Sequence, residues 1–350
     1  GYFVNTTAGV ITVNLPAGVA GNIVSLSDYA ATWQTSNVTV TPNGTDKIGS
    51  INENAILNVE GQSVTFVYVD GTQGWINTMD STSNVRGAPL FVTATGGTET
   101  TSGNCKIHTF TGPGTFTVTA VSSCAANNIM SHVIIAGGGG GGGDRAGGGG
   151  AGGYREVKNP VTPYTASPLD GYPSAPNRVT VTAQAYPIVI GGGGAGGTQP
   201  APESPSGVNG NDSSFGGIAS AGGGGGKNSN TGSALSGGSG GGSSGSSPGG
   251  GSSGNTPPVS PPQGNNGGIG QDGSPYATGA GGGGAGAAGG NASAPSGISP
   301  AGGAGVATSI TGSSITRAGG GGSTGKNPAG TSAGGSGGGG DGSTGGTNPG

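Results

Sequence analysis

Long runs of glycine dominate the second part of this 350-residue chain and restrict what it can fold into. Seven consecutive glycines occupy 137–143, and the string GGGGAGG occurs at both 147–153 and 191–197. Glycine has no side chain to bury, and it loses more backbone entropy than any other residue when it becomes ordered. An ordered structure built from these runs therefore has to be held by contacts between main chains.

Glycine and charge are both unevenly distributed. Residues 1–136 contain 15 glycines, and residues 137–350 contain the other 74. The net charge of −4 comes entirely from the first part, because the second part has seven basic and seven acidic side chains. Since no basic surface is indicated, we expect no binding to nucleic acid. No apolar stretch approaches the roughly 20 residues that span a bilayer, so we expect no membrane insertion.

Residues 1–78 alternate apolar and polar residues between turn residues, as in YFVNTTAGVITVNLP and QSVTFVYVDGTQGWI. This period of two predicts an N-terminal module of short antiparallel strands. Trp33 and Trp75 are the expected large side chains of its core. The sequence lacks an initiator Met, and we expect it to be part of a longer polypeptide.

A hinge at 79–90 is predicted to lead into a second β module at 91–136. We expect this module to contain a hairpin whose turn is Gly112-Pro113-Gly114. Cys105 and Cys124 flank that hairpin, so a disulfide between them is compatible with the spacing, as are two buried free thiols.

His108 and His132 lie in predicted strands of the second module. Neither has a carboxylate or a second histidine at a fixed spacing. Both are therefore expected to be structural residues with satisfied hydrogen bonds, and no metal site is predicted.

Three structures are compatible with glycine-rich sequence. A flexible linker is the usual one. A collagen helix requires glycine at every third position, which the uninterrupted runs exclude. The third is a bundle of polyglycine II helices, which are extended, have three residues per turn and leave every N–H and C=O free to bond a neighbouring helix.

We favour the polyglycine II bundle because apolar segments such as SHVIIA and YPIVI lead directly into glycine runs. A strand and a polyproline-type helix have neighbouring backbone angles, so one can continue into the other. The predicted fold is therefore all-β plus irregular: two small antiparallel β modules, then a bundle of polyglycine II helices at 137–350 that carries surface loops rich in Pro and Ser.

No catalytic motif is recognisable in the sequence. There is no nucleophile elbow, no HExxH and no CxxC, and the carboxylates are scattered singly. We therefore expect a protein without enzymatic activity and without a cofactor.

The insertion at 154–187 is the best candidate for recognition of a ligand. It contains four tyrosines and several prolines, which contact a partner with little loss of entropy. An alternative role for the tyrosines is to cap the exposed side of the glycine bundle. The candidate ligand-binding residues are Tyr154, Arg155, Tyr164, Tyr172, Arg178 and Tyr186.

Several segments resemble tail-fibre and adhesin proteins of bacteriophages, in particular of marine phages and cyanophages. YFVNTTAGVITVNLP and VTFVYVDGTQGWI resemble a small β module of such fibres. KIHTFTGPGTFTVT, VIIAGGGGGGG and YPIVIGGGGAGG resemble the glycine-rich domain that follows it. The resemblance implies a homotrimeric virion fibre outside the cell, bound to other fibre or baseplate proteins.

The same resemblance implies that the loops attach the virus to its host. The partner would be a bacterial surface glycan or an outer-membrane protein. The alternative is a purely structural fibre shaft, capsid decoration or cell-surface filament without a ligand of its own.

Overall fold

The computed structural model describes residues 1–80, 90–198, 205–228, 233–245, 249–272, 277–293, 299–325 and 332–342. Most of the predicted hinge at 79–90 lies outside these residues. The described residues form strands and irregular segments with two short 3-10 helices, so the fold is all-β plus irregular. The chain divides into a first compact unit, 1–93 with 119–128, and a second, 94–118 with 129–350.

The first unit contains two sheets, with the strand orders β1-β3-β6-β7 and β2-β4-β5. The strands are β1 (Tyr2–Val4), β2 (Ile11–Asn14), β3 (Ile23–Asp28), β4 (Val38–Thr41), β5 (Ala55–Leu57), β6 (Ser63–Tyr68) and β7 (Trp75–Asp80), and the 3-10 helix of this unit is Ala125–Asn128.

Both sheets contribute to one apolar core in the first unit. Trp33 and Trp75 are fully buried in it, which confirms the prediction made for them. Strand β6 buries alternate residues, among them Phe66, because successive side chains of a strand point to opposite faces.

The expectation of a purely antiparallel first module was wrong. Strand β1 pairs in parallel with β3, and β2 pairs in parallel with β4. The reason is that the first four strands alternate between the two sheets, so that β1 and β3, like β2 and β4, are neighbours in a sheet without being neighbours in the sequence. The remaining pairs, such as β3 with β6, are antiparallel.

The second unit contains shorter strands spread through irregular chain. They are β8 (Thr93–Thr95), β9 (Thr98–Ser102), β10 (Cys105–Thr109), β11 (Gly114–Ala120), β12 (Ile129–Met130), β13 (His132–Ile135), β14 (Tyr154–Val157), β15 (Val179–Thr180), β16 (Ala185–Val189), β17 (Ser213–Phe215), β18 (Ile218–Ser220), β19 (Val306–Thr308) and β20 (Ile315–Arg317), with a 3-10 helix at Ala175–Asn177. Strands β8 and β11 cross the boundary between the units in sequence.

The hairpin predicted around Gly112-Pro113-Gly114 is not formed. Strand β10 pairs with β9, and β11 pairs with β16 in the five-stranded sheet β18-β17-β16-β11-β8. A two-residue turn that includes Gly103, at a φ of 56°, closes the β9–β10 hairpin instead. Cys105 and Cys124 are both free thiols, the first half-buried and the second exposed.

The glycine runs are joined to one another by main-chain hydrogen bonds. In the run at 147–153, Gly150 N–H donates to Gly224 O at 2.8 Å, and Gly150 O accepts from Gly139 N–H at 2.9 Å. All seven segments of the chain that contain four or more consecutive glycines belong to this network. They are 137–143, 147–153, 191–197, 222–226, 281–284, 319–322 and 337–340.

The bonds follow a period of three residues. The N–H groups of residues 147, 150 and 153 donate to the segment 221–227, whereas those of 148 and 151 donate to 280–283. The carbonyls of 147, 150 and 153 accept from a third segment, 136–142. Every third residue of this run therefore faces the same neighbour.

The spacing between the runs leaves no room for side chains at most positions. A Cβ placed on Gly149 would overlap the carbonyl oxygen of Gly139, and one on Gly223 would overlap that of Gly150. Only glycine allows main chains to approach this closely.

For the first unit, we expect Phe66→Ala to lower the free energy of unfolding by about 3–5 kcal/mol, because it opens a cavity in the core. Phe3 is 77% exposed, so the matched variant Phe3→Ala should change it by less than about 0.5 kcal/mol. Tryptophan fluorescence during denaturation measures this, since both tryptophans lie in this unit. Equal effects of the two variants would contradict the assigned core.

For the glycine network, we expect Gly149→Ala to lower the free energy of unfolding by about 1–3 kcal/mol. Its methyl group displaces main-chain hydrogen bonds that contribute about 0.5–1.5 kcal/mol each. Amide exchange at 147–153 should then accelerate by roughly tenfold to a hundredfold. Apart from its chain neighbours, no atom of the described residues lies within 4 Å of a Cβ at Gly250, so Gly250→Ala is the control and should leave exchange unchanged. Unchanged exchange in Gly149→Ala would contradict the packing.

Candidate functional site

The segment that follows the second glycine run forms strand β14, and all four of its residues are buried. Tyr154 and Glu156 lie on one face of it. The Glu156 carboxylate accepts hydrogen bonds from the Tyr154 hydroxyl at 2.9 Å, the Ser167 N–H at 2.9 Å and the Thr308 hydroxyl at 2.6 Å. Burial and the charge of Glu156 raise the pKa of Tyr154, so the phenol stays protonated and donates a hydrogen bond to the carboxylate.

Arg155 lies on the opposite face of the same strand. Its guanidinium donates to the Asn177 side-chain oxygen at 2.6 Å and to the Ala219 carbonyl at 3.4 Å. Burial lowers its pKa. Its polar partners here are thus an amide and a carbonyl, so Arg155 holds neighbouring segments together.

Asn177 connects two proline-rich loops. Its side-chain NH₂ donates to Gly171 O at 3.2 Å and to Ser260 O at 2.8 Å, in addition to the bond that it accepts from Arg155. The loops are 172–176 and 256–262, and most of their residues are exposed. We call these two segments the proline loops.

Gln263 fixes the second proline loop on the glycine network. The side chain is 1% exposed and accepts from Ala221 N–H at 2.8 Å while donating to Pro257 O at 2.8 Å. Its main-chain carbonyl accepts from Tyr154 N–H. The exposed prolines are therefore held by a buried amide.

Three of the six predicted ligand-binding residues are buried. Tyr154, Arg155 and Tyr186 are at most 9% exposed, so a cell-surface receptor cannot reach them, and the prediction is corrected for these three. The reason is that their polar groups bond the chain itself, as shown for Tyr154 and Arg155 above. Tyr164, Tyr172 and Arg178 are half-buried.

The sequence did not indicate Asn177 and Gln263, which place the proline loops. The Pro-Pro pairs at 257–258 and 261–262 were an available signal, because consecutive prolines stiffen a loop. No pattern in the sequence indicated which amide side chains would be buried.

A groove of about 560 Å³ lies elsewhere in the second unit. Aromatic rings line it in edge-to-face contact: His108 with Phe116 at 5.1 Å and Phe116 with Phe215 at 5.7 Å between ring centres. His132 adjoins Phe215 at 5.9 Å. The mostly apolar lining suits a ligand with apolar groups.

The two histidines of the groove differ in their hydrogen bonds. His108 Nδ1 bonds Gly96 O at 2.8 Å, and His132 Nδ1 bonds Met130 O at 3.1 Å. No described residue bonds His132 Nε2, so the expectation of a fully satisfied histidine was wrong there. Burial lowers the pKa of His132 to about 4, so this ring is neutral at pH 7.

Among the described residues, no three or more of the types His, Cys, Asp and Glu group together so that they could hold a metal ion. The same residues include no helix of the length and apolar character needed to cross a membrane.

His132 predicts a specific pH dependence. The unfolded side chain takes up a proton near pH 6.5 and the folded one only near pH 4, so protons favour the unfolded state between these values. His132 thus destabilises the protein as pH falls from about 6.5 to 4, by on the order of 3 kcal/mol in total. The decrease in the free energy of unfolding between pH 7 and pH 4.5, measured by urea denaturation, should be smaller in His132→Phe than in the unmodified chain. Equal decreases would contradict the buried neutral ring.

No curated protein matches the sequence. A family model described as a glycine-rich domain matches residues 109–350, which is more than half of the chain. The match covers all the glycine runs, both proline loops and strands β11 to β20. The chain therefore belongs to the glycine-rich domain family.

Proposed function

We propose that this chain is a non-enzymatic virion fibre or adhesin protein that attaches the particle to its host cell. In this proposal the glycine runs are polyglycine II helices, and their bundle is a rigid scaffold for surface loops. In the same proposal, the protein is a homotrimer on the outside of the virion and contacts other fibre or baseplate proteins.

The period of three in the glycine network is the observation that carries the proposal. A polyglycine II helix has three residues per turn, so residues 147, 150 and 153 would face one neighbour, as they do. A flexible linker has no reason to repeat its contacts at this interval.

The scaffold matters because a loop binds more tightly when its conformation is fixed beforehand. The proline loops are restrained by their own prolines and by the buried side chains of Asn177 and Gln263. Their exposed surface is the proposed contact for a bacterial surface glycan or an outer-membrane protein.

A purely structural role is the second candidate. The burial of Tyr154, Arg155 and Tyr186 favours it, because these side chains stabilise the unit and are not available to a receptor. In that case the protein is a fibre shaft or a capsid decoration without a ligand.

The attachment proposal is tested with Ser174→Trp, which adds a bulky ring to the first proline loop. Ser174 is exposed and its side chain caps no hydrogen bond, so the fold should be preserved. We expect the unmodified chain to bind host cells and to compete with virus adsorption, and Ser174→Trp to reduce both by at least about tenfold.

The control is Ser123→Trp, which makes the same change at an exposed residue of the first unit and should bind like the unmodified chain. If the unmodified chain neither binds cells nor blocks adsorption, while antibodies against it decorate the shaft or the capsid, the structural role is the correct one. Equal binding by both variants would exclude the first proline loop.

A further inference from the structure

The groove next to His132 runs along one edge of strand β13. Six consecutive residues, 130–135, line it. Successive side chains of a strand point to opposite faces, so a groove lined by every residue has to follow the edge of the strand. Strand β14 occupies one edge of β13, and no other described strand pairs with β13.

The register of the β13–β14 pair identifies the main-chain groups at this open edge. Ala136 N–H bonds Gly153 O, and hydrogen-bonded pairs alternate with non-bonded ones in an antiparallel ladder. The pairs at Val133 and Ile135 are therefore the non-bonded ones, with their N–H and C=O directed away from β14. No described residue bonds these groups.

The opposite strand supports this assignment. Tyr154 and Glu156, the partners of Ile135 and Val133 in the ladder, use their main-chain groups on the far side of β14. Tyr154 N–H donates to Gln263 O, and Glu156 O accepts from Gly171 N–H. At these positions the main-chain groups of both strands point away from the other strand of the pair. Among the described residues, those of β14 have hydrogen-bond partners and those of β13 do not.

A second strand also borders the groove. All five residues of β10, Cys105–Thr109, line it, and β10 pairs only with β9 among the described strands. Next to the groove, the runs 137–143 and 191–197 are bonded, with Gly194 N–H donating to Gly138 O at 2.8 Å. The groove opens where the chains that lead into these two runs separate.

The charges in the groove have one sign. Lys106 and Arg317 line it, and none of the described residues that line it is an aspartate or a glutamate. Lys106 already pairs with Glu99 at 3.1 Å. The hydrogen bonds of the Arg317 guanidinium go to Ile315 O and the Thr311 hydroxyl, each at 3.4 Å, and neither partner is charged.

We propose that this groove binds an extended, mainly apolar segment of a partner protein, which adds to β13 as a strand. The open N–H and C=O groups of Val133 and Ile135 supply the main-chain bonds, as in other cases of strand addition. The aromatic lining accepts alternate apolar side chains, and Arg317 pairs with a carboxylate of the segment. The proposal goes beyond host attachment by the proline loops and does not depend on it.

The test uses the whole chain and a library of random hexapeptides on beads. Val189→Trp fills the groove from a lining residue that is 48% exposed. Val208→Trp is the matched control, because Val208 is 53% exposed and does not line the groove. Both variants are first compared with the unmodified chain by amide exchange, which establishes that they are folded.

We expect the unmodified chain and Val208→Trp to select the same hexapeptides, with alternating apolar residues and an acidic residue. Val189→Trp should bind them at least about tenfold more weakly. Arg317→Gln should weaken binding by about fivefold, the value of one exposed ion pair. N-methylation of one set of alternate amides in a selected peptide should abolish binding, and methylation of the other set should not.

Three results would overturn the proposal. The first is that no hexapeptide binds the unmodified chain more tightly than it binds Val189→Trp. The second is that both N-methylated forms bind as well as the parent peptide, since strand addition requires main-chain bonds. The third is that the chain binds a glycan microarray through this groove, with binding lost in Val189→Trp and no peptide bound.

Discussion

Hydrogen bonding between main chains that lack side chains is the interaction on which the second unit depends. Gly150 is representative: its N–H bonds one neighbouring segment and its carbonyl bonds another, and no Cβ is present to hold the segments apart. Each such bond contributes less than the ordering of a residue costs, so the glycine runs need support from elsewhere. The strands that precede and follow them, such as β13 and β14, supply it.

The strands also explain how the chain enters the network in a defined register. The β-branched residues of β13 pair with β14 immediately before the first run begins, and Ala136 N–H continues the same ladder by bonding Gly153 O. Buried polar side chains supply further hydrogen bonds beside the glycine runs. The Glu156 carboxylate, with its three donors, and Gln263 each satisfy groups that main-chain bonds do not reach.

The local features of the fold could be predicted from the sequence, and the long-range ones could not. Alternation around Phe66 and the sizes of Trp33 and Trp75 identified the core of the first unit, because burial follows the pleat of a strand. The Gly112-Pro113-Gly114 hairpin was predicted wrongly, because β11 pairs with β16, about 70 residues later, and turn residues carry no information about so distant a partner. Burial of Tyr154 and Arg155 was likewise hidden, since their partners Gln263 and Asn177 lie in separate segments.

Scalar couplings across hydrogen bonds, measured by NMR on the isotope-labelled chain, report which main-chain groups of the glycine runs are bonded to each other. We expect couplings from Gly139 N to the carbonyl carbon of Gly150 and from Gly150 N to that of Gly224. The other donors of the run should couple to their acceptors in the same way, so that each neighbour recurs at every third residue. Glycine amides without such couplings, and with exchange as fast as in an unfolded peptide, would contradict this bonding between the runs.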